Sequence, residues 1–387
     1  MFQSTTGAGR RLILKKILMS VFVAAALCML ANPAVAGTVR IGLMCPLTGG
    51  WASEGQDMRR IISLLADEAN KTGGVKGSRI ELVVEDDGGD PRTAALAAQK
   101  LAAAGVVAVI GTYGSAVTEA SQNILDEAGI LQIATGSTSV RLTEKGLPYF
   151  FRTCPRDDEQ GLAAARVIQG LGHKNIAVLH DNSSYSRGLA DETRALLDKA
   201  KLNIVFFDAL TPMERDYSAI LTRLRASSPD MVFFTGYYPE AGLLLRQKRE
   251  MGWNVPMLGC DADNNPDLVK IAGTAAAAGF MFISPPVPAD LSTDRGKAFL
   301  DAYRAAYKEM PQSVWAVLAG DAFNVLVEAL RHAGADSAAA AAYLKTGIGG
   351  YAGMTGTFSF DAKGDRVGDL YRLYEVNPEG VFRAISE

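Results

Sequence analysis

Short runs of apolar residues alternate with amphipathic stretches along the chain from residue 39 onward. The first run, at 39–44, precedes a stretch in which the apolar residues from Met58 to Ala69 recur at the i, i+3, i+4 and i+7 spacing of one helix face. Such alternation is typical of βαβ units, in which helices cover a mostly parallel sheet. The strand-like runs are continuous rather than alternating in polarity, which indicates strands that are buried on both faces.

The pattern divides into two successive series and a helical C-terminal part. The first series predicts strands at 39–44, 80–84, 106–110 and 130–134, with a helix at about 116–128 and another that Asp90 caps and Pro91 begins. The second series, after Arg152, predicts helices near 159–171, 187–199, 217–225 and 239–251 and strands at 176–179, 204–207, 231–234 and 256–259. The last part predicts helices at 294–307, 314–332 and 337–345 and strands near 356–360 and 370–376. The sequence therefore predicts an α/β protein with two doubly wound, Rossmann-like lobes, since about 350 residues exceed one core.

The first 36 residues have the pattern of a removable export signal. A basic stretch precedes the apolar run 17–30, and the segment ends in the small-x-small sequence Ala34-Val35-Ala36. The run is too short for a membrane span, and the pair Arg10-Arg11 leaves twin-arginine export open. We therefore expect cleavage after about Ala36 and a periplasmic protein.

Charge and cysteine content exclude several functional classes. The signal contains four basic and no acidic residues, so its removal changes the formal net charge from −3 to −7, which gives the chain no affinity for nucleic acid. The three remaining cysteines, Cys45, Cys154 and Cys260, form neither a disulfide framework nor a zinc pattern, and we expect them to be buried. We predict no cofactor and no metal, because Pro266 interrupts what would otherwise resemble a calcium loop after Asp261.

Polar residues follow several predicted strands, at the sheet edge where α/β proteins bind ligands. The loops 111–116 and 134–139 combine glycines with hydroxyl side chains, and Ser115 begins a helix, an arrangement that favours a carboxylate. Either loop alone would indicate helix capping, but two on adjacent strands favour a ligand site. In the second series, tyrosines and acidic residues lie at the corresponding strand ends, in the segments 181–185, 236–240 and 259–263.

These landmarks resemble the leucine/isoleucine/valine-binding protein family, the periplasmic receptors of branched-chain amino-acid ATP-driven importers. The likeness extends over nearly the whole mature chain and lies in the segments 39–43, 47–50, 73–77, 85–91, 109–111, 151–153, 158–161, 236–240 and 360–365. It implies a first lobe of 38–156 plus 286–364 and a second of 157–285 plus 365–387, joined by three crossings that form a hinge.

The resemblance also implies roles for individual residues. Ser115 and Thr138 would bind the ligand carboxylate with their hydroxyls and nearby backbone N–H groups, and the Gly136 carbonyl would face the ammonium group. Asp261 stands where the family usually has a glutamate that pairs with the ammonium group, and Glu54 stands where some relatives have an aromatic side chain. The predicted ligand-binding set is Trp51, Glu54, Tyr113, Gly114, Ser115, Gly136, Thr138, Tyr185, Tyr237 and Asp261.

We therefore expect a monomeric receptor that binds a small amino acid and docks on a membrane permease of an ATP-driven importer. A sensor of the same fold that reports to a signalling partner is the alternative, and the residues do not separate the two. An enzyme is disfavoured, because His180 at a strand end has no serine or cysteine elbow motif beside it and is expected to be a core or capping residue.

Overall fold

A computed structural model describes residues 37–368 and 370–385 of the chain. The predicted export signal, residues 1–36, lies outside the described residues. Residues 38–152 contain strands β1 (Thr38–Cys45), β2 (Arg79–Asp86), β3 (Ala108–Ile110), β4 (Leu131–Ala134) and β5 (Phe150–Arg152) and helices α1 (Ala52–Lys71), α2 (Pro91–Ala103), α3 (Ser115–Glu127) and α4 (Arg141–Glu144). The five strands form a wholly parallel first sheet in the order β2-β1-β3-β4-β5.

The next part of the chain builds most of a second sheet. It contains α5 (Asp157–Gly170), β6 (Asn175–His180), α6 (Ser184–Lys199), β7 (Asn203–Ala209), α7 (Ser218–Ala226), β8 (Met231–Thr235), α8 (Tyr238–Glu250), β9 (Met257–Gly259), α9 (Asp267–Ala272), α10 (Thr274–Ala277) and β10 (Met281–Ser284). These strands pair in parallel, and the fully buried side chains of β8 show that helices cover both faces of the sheet, as the continuous apolar runs predicted.

The C-terminal part of the chain contributes to both halves of the molecule. It contains α11 (Asp294–Tyr307), α12 (Val314–Ala333), α13 (Ser337–Thr346), β11 (Tyr351–Ala352), β12 (Thr357–Phe360), β13 (Arg366–Val367), β14 (Arg372–Val376) and β15 (Phe382–Ala384). Helices α11 to α13 share an apolar core with the first sheet and α1. Strands β11 to β13 form a small separate sheet. Strand β14 pairs antiparallel with β10, and β15 pairs antiparallel with β14, which extends the second sheet to the order β15-β14-β10-β9-β8-β6-β7.

The chain therefore passes between the two halves three times: after β5, after β10 and before β14. This topology confirms the predicted fold class of two doubly wound lobes with a three-part connection. Asp90 and Pro91 begin α2 as predicted, with the Asp90 carboxylate accepting from the N–H groups of Arg92 and Thr93. Within the described residues, no helix is both long and apolar enough to cross a membrane.

Several short elements differ from the prediction. Strands β5, β10 and β15 and helices α9 and α10 were not predicted, because three to six residues provide too few positions for a periodic pattern. Helix α5 begins at Asp157 rather than near residue 159. That difference matters for the site, because it places Asp157 in the first helical turn.

A buried ion pair fastens the first crossing to the third. The guanidinium group of Arg152, fully buried at the end of β5, donates to the carboxylate of Asp365, which also accepts from Arg156. Burial acts to raise the pKa of Asp365, but the two arginines outweigh it and hold that pKa below its ordinary value. Arg152 also donates to the carbonyl oxygens of Ser137 and Ser139, so the pair supports the loop that follows β4.

We predict that Asp365→Asn lowers the free energy of unfolding by about 3–5 kcal/mol, because it leaves the buried Arg152 without its counter-ion. Urea unfolding at neutral pH measures the change. Asp301→Asn is the matched control, since Asp301 pairs with Arg304 on the exposed surface and its removal should cost no more than about 1 kcal/mol. Equal losses in the two variants would contradict the prediction.

Candidate ligand-binding cleft

Four aromatic side chains meet between the two sheets, each from a segment that follows the carboxyl end of a strand. Trp51 and Tyr113 come from loops after β1 and β3, and Tyr185 and Tyr237 follow β6 and β8. The ring centroids of Trp51 and Tyr237 are 4.2 Å apart, and those of Trp51 and Tyr113 are 5.5 Å apart. Tyr185 continues the group at 5.3 Å from Tyr237. We refer to these four residues as the aromatic cluster; it joins the two halves at the edge where α/β sheets bind ligands.

Two glycines make room for this cluster. A Cβ atom on Gly114 would lie 2.9 Å from the ring of Trp51, and one on Gly136 would lie 2.6 Å from the ring of Tyr113. Side chains at these positions would push the rings apart. The structure thus explains why predicted site loops contain glycine at these two points.

Asp261 lies beside the cluster, in a short 3-10 turn, Asp261–Asp263, that follows β9. One of its carboxylate oxygens accepts from the Tyr185 hydroxyl at 2.6 Å and the other from the Tyr371 hydroxyl at 3.1 Å. Its backbone N–H donates to the side-chain oxygen of Gln160 at 2.9 Å. Burial raises the pKa of Asp261 to about 6, although hydrogen bonds from Tyr185, Gln160 and Tyr371 act to lower it. Asp261 is therefore a buried acid whose ionised form is stabilised by two tyrosine hydroxyls.

The hydroxyl-rich loop after β4 faces the start of α3. Ser115 is the first residue of α3, and its hydroxyl oxygen accepts from the backbone N–H of Ser139 at 3.2 Å. The hydroxyl of Thr138 is buried and finds no hydrogen-bond partner among the residues that the structure describes. Because Arg152 binds the carbonyls on either side of Thr138, the backbone of this loop is fixed while one hydroxyl remains available.

Glu54, at the start of α1, forms a hydrogen bond between the two halves. Its carboxylate accepts from the amide of Asn265 at 2.6 Å and from the hydroxyl of Ser313. Nearby, the Tyr238 hydroxyl donates to the carbonyl of Gly50 at 2.9 Å. Burial raises the pKa of Glu54 to about 8, against the hydrogen bonds from Ser313 and Asn265, which lower it. The predicted contact of Glu54 with a ligand side chain stays a prediction. The contacts present join the two halves at the cleft.

Four further residues complete the surroundings of the cluster, and the sequence did not point to them. Asp157 and Gln160 lie three residues apart in the first turn of α5, so they share one helix face. Tyr371 lies just before β14, and the ring of Trp315 lies 6.3 Å from that of Tyr113. Only Asp157 and Gln160 left a signal in the sequence. Their i, i+3 spacing places them on one helix face if the helix is predicted to begin at residue 157 instead of near residue 159.

The remaining reactive residues have structural surroundings. Cys45, Cys154 and Cys260 are buried and free, as expected of small apolar residues. His180 is buried at the end of β6, and its Nδ1 accepts from the backbone N–H of Asn182. Ser183 caps the following helix, so His180 is the core residue of the two roles expected for it. Across residues 37–368 and 370–385, no group of three or more His, Cys, Asp or Glu side chains is arranged to hold a metal ion.

Comparison with known sequences identifies the family. The sequence profile of the family described as periplasmic binding protein matches residues 38–381, which is most of the chain. The chain belongs to the periplasmic binding protein family. This confirms the resemblance found in the sequence.

Individual relatives show which group within the family this periplasmic binding protein is most similar to among those compared. The chain is 34% identical to the Leu/Ile/Val-binding protein BraC3 of Rhizobium johnstonii, over 89% of this chain and 93% of that protein. It is 33% identical to the leucine-, isoleucine-, valine-, threonine- and alanine-binding protein of Pseudomonas aeruginosa, over 88% and 90% of the two chains. The fold matches a branched-chain amino-acid transporter substrate-binding protein, LivJ of Streptococcus pneumoniae in complex with isoleucine, with a TM-score of 0.81, 31% identity and coverage of 90% and 99%.

These relatives are named for binding and transport, and none of the three is named as an enzyme. The periplasmic binding protein described here is accordingly a member of the branched-chain amino-acid-binding group and a solute-binding receptor rather than a catalyst.

We predict that Glu54→Gln reduces the pH dependence of stability. Because the pKa of Glu54 is raised to about 8, the folded protein holds a proton that the unfolded chain releases near pH 4.5, so stability falls as the pH rises through that window. The glutamine of the variant carries no such proton, so the free energy of unfolding of the variant relative to the parent should rise between pH 5 and 8.5. The rise should be on the order of 1.4 kcal/mol for each pKa unit of the original shift.

Urea unfolding at several pH values provides the measurement. Glu68→Gln, an exposed change on the same helix, is the matched control and should leave the pH profile unchanged. Other buried acids with raised pKa values, such as Asp87, are present in both proteins, so the free energy of unfolding of both will still depend on pH to some extent. A Glu54→Gln profile that runs parallel to that of the parent would show that this carboxylate does not hold the proton.

Proposed function

We propose that this protein is an exported receptor of an ATP-driven importer that binds a small zwitterionic amino acid, of the branched-chain or hydrophobic class, in the cleft between its two lobes. The observation that carries the proposal is the position of Asp261 across the aromatic cluster from the hydroxyl loop. An α-amino acid has one negative and one positive end, and it needs binding groups of both kinds.

The carboxylate end would bind at the first lobe. Ser115 and Thr138 supply hydroxyls at the N-terminus of α3, where backbone N–H groups and the helix dipole attract an anion. The buried Thr138 hydroxyl, which has no partner among residues 37–368 and 370–385, has a donor to offer. Gly114 precedes the helix and allows the ligand to approach the backbone.

The ammonium end would bind at the second lobe. Each carboxylate oxygen of Asp261 accepts one hydrogen bond from a tyrosine hydroxyl. Each oxygen has a further lone pair that can accept an N–H of the ligand. A charge-assisted hydrogen bond in such buried surroundings contributes roughly 1.5–3 kcal/mol. The Gly136 carbonyl would accept a second N–H, and the rings of Tyr113, Tyr185, Tyr237 and Trp51 would enclose the ligand.

Binding would then be coupled to closure of the hinge. We assign residues 38–156 and 286–364 to one lobe and 157–285 and 365–387 to the other, with the three crossings as the hinge. A ligand that touches both lobes stabilises the closed form, because it makes its full set of contacts there. The closed surface would dock on a membrane permease, and the signal at 1–36 would direct the protein to the periplasm, where a monomer is expected.

We predict that Asp261→Asn weakens leucine binding at least tenfold, about 1.4 kcal/mol, because the ammonium group loses its counter-ion. Isothermal calorimetry on ligand-stripped protein measures the affinity. Ser115→Ala should cost less, since the backbone donors at the start of α3 remain. Asp191→Asn removes the same charge from the exposed face of α6 and should leave the affinity unchanged.

The same calorimetry decides the ligand class. Leucine, phenylalanine and benzoate share a carboxylate, but benzoate has no ammonium group for Asp261. Tight binding of benzoate together with no binding of either amino acid would refute the proposal. An unchanged leucine affinity in Asp261→Asn would remove that residue from the site while leaving the receptor function intact.

A further inference from the structure

Residues 211–216, which connect β7 to α7, lie at the rim of the cleft. Strand β7 is the edge strand of the second sheet and pairs in parallel with β6. Its carboxyl end therefore continues the row of strand ends from which Tyr185 and Tyr237 reach the aromatic cluster. All six residues of the connection are exposed. We refer to them as the rim segment.

Met213 occupies a strained position within the rim segment. Its side chain is 88% exposed, whereas the next most exposed large apolar side chain that the structure describes, Leu96, is 59% exposed. The φ angle of Met213 is 67°, in the left-handed region that favours glycine, because there a Cβ atom is crowded by the following carbonyl oxygen. Since the side chain lies almost wholly in solvent, packing within the chain does not offset this strain. Backbone strain of this kind is typical of functional positions.

Two buried side chains of α8 fix the rim segment in this conformation. The carboxylate of Glu240 accepts from the backbone N–H of Met213 at 3.0 Å. The amide of Gln247 accepts from the N–H of Tyr217 at 2.6 Å and donates to the carbonyl of Arg215 at 2.8 Å. Burial raises the pKa of Glu240, and the hydrogen bond from Met213 acts to lower it. The fold thus uses a buried acid to hold an exposed methionine in a strained conformation.

Helix α8 also contacts the other half of the molecule. Tyr238, its first residue, donates to the carbonyl of Gly50 at 2.9 Å, and its hydroxyl oxygen lies 3.1 Å from that of Ser53. One helix therefore supports the rim segment and forms part of the contact between the two halves. The position of the rim segment relative to Gly50 and Ser53 depends on whether the cleft is closed. A partner that contacts both sides of the rim would distinguish the closed form from the open form.

The chemistry of the rim segment favours a protein partner. Met213 is an apolar centre beside the charged residues Glu214, Arg215 and Asp216, and protein interfaces combine an apolar centre with a polar rim in the same way. A methionine side chain is flexible and adapts to the shape of an apolar pocket. Two acidic residues against one basic residue give the segment no attraction to an anionic lipid surface.

We infer that Met213 is an anchor residue with which the closed receptor docks on the membrane permease of the importer. The inference rests on the proposed function and adds the docking residue to it. The permease would offer an apolar pocket for the methionine side chain and polar groups for its charged neighbours. A second copy of the chain is a less suitable partner, because docking between copies gives no reason for a fixed contact point at the rim of a closing cleft.

Leucine uptake by the host bacterium tests the inference. The chromosomal gene is replaced by each variant, and a deletion strain defines the uptake that depends on this protein. Met213→Asp should lower that uptake at least about tenfold, because a carboxylate does not enter an apolar pocket. Met213→Leu should retain most of it. Uptake at the level of the parent in Met213→Asp would overturn the inference and leave the receptor function intact.

Val381→Asp is the matched control. Val381 is 54% exposed and lies in the turn between β14 and β15. Because β14 runs antiparallel to β10, this turn is at the opposite edge of the same sheet, away from the cleft. The variant introduces the same charge at an exposed apolar position, and its uptake should equal that of the parent. A loss as large as that of Met213→Asp would show that the effect does not belong to the rim segment.

Measurements on the purified mature proteins separate docking from binding and folding. Calorimetry should give Met213→Asp the same leucine affinity as the parent. Met213→Gly should melt at or above the temperature of the parent, because glycine relieves the strain at this φ angle, and should still lose uptake. A weakened leucine affinity in Met213→Asp, or a melting temperature of Met213→Gly well below that of the parent, would assign Met213 to the ligand site or to the fold and overturn the inference.

Photocrosslinking identifies the partner. p-Benzoylphenylalanine in place of Met213, in the full chain and with leucine present, should crosslink to a membrane-spanning subunit of the importer that mass spectrometry identifies. A crosslink to a second copy of the chain or to a signalling protein instead would overturn the inference. Leucine binding without any uptake that depends on this protein would refute the importer role and this inference with it. Absence of leucine binding by the parent would refute the proposed ligand.

Discussion

The burial of carboxyl groups at the seam between the two halves is the constraint on which the candidate site depends. Glu54, Asp157 and Asp261 are almost wholly removed from solvent, and each meets the cost of burial differently. Glu54 accepts hydrogen bonds from Asn265 and Ser313, and Asp261 accepts them from two tyrosine hydroxyls. Burial raises the pKa of Asp157 well above its ordinary value. A buried carboxyl group is unfavourable unless it is hydrogen-bonded, protonated or paired, so the structure of the seam depends on how these acids are satisfied.

Two features of the fold position these groups: the parallel strands and the ion pair between the crossings. Parallel strands bring their carboxyl ends to one edge of each sheet, so loops that are far apart in the chain converge there. The two edges face each other, and the aromatic cluster fills the space between them. The Arg152–Asp365 pair ties the first crossing to the third and at the same time fixes the loop that carries Thr138. The first crossing, the third crossing and the hydroxyl-rich loop are therefore one connected structure.

Much of this organisation could be predicted from the sequence. Continuous apolar runs and amphipathic stretches predicted the two α/β series, because the longer strands and helices leave a recognisable pattern of apolar positions. The glycine and hydroxyl loops after β3 and β4 could be predicted from their positions at strand ends. Asp261 and Tyr185, which the sequence brought into the candidate set, share a hydrogen bond.

The rest depends on tertiary contacts that leave no local pattern. Tyr371 reaches Asp261 from the far end of the chain, and nothing in its neighbourhood marks it as part of a site. Asp157 was missed because the start of α5 was placed two residues too late, which put it outside the helix face it shares with Gln160. The partners of Glu54 could not be predicted, since Asn265 and Ser313 lie more than 200 residues away in sequence.

In this view the ligand is bound at its acid end by one lobe and at its amino end by the other, so ligand occupancy and lobe closure form a single equilibrium. Small-angle X-ray scattering of the ligand-stripped protein, before and after saturation with leucine, measures that coupling directly. We expect a larger radius of gyration without leucine and a fall on saturation to the value calculated for the closed structure. Identical scattering curves in the two states, with leucine binding verified in the same samples, would contradict the coupling.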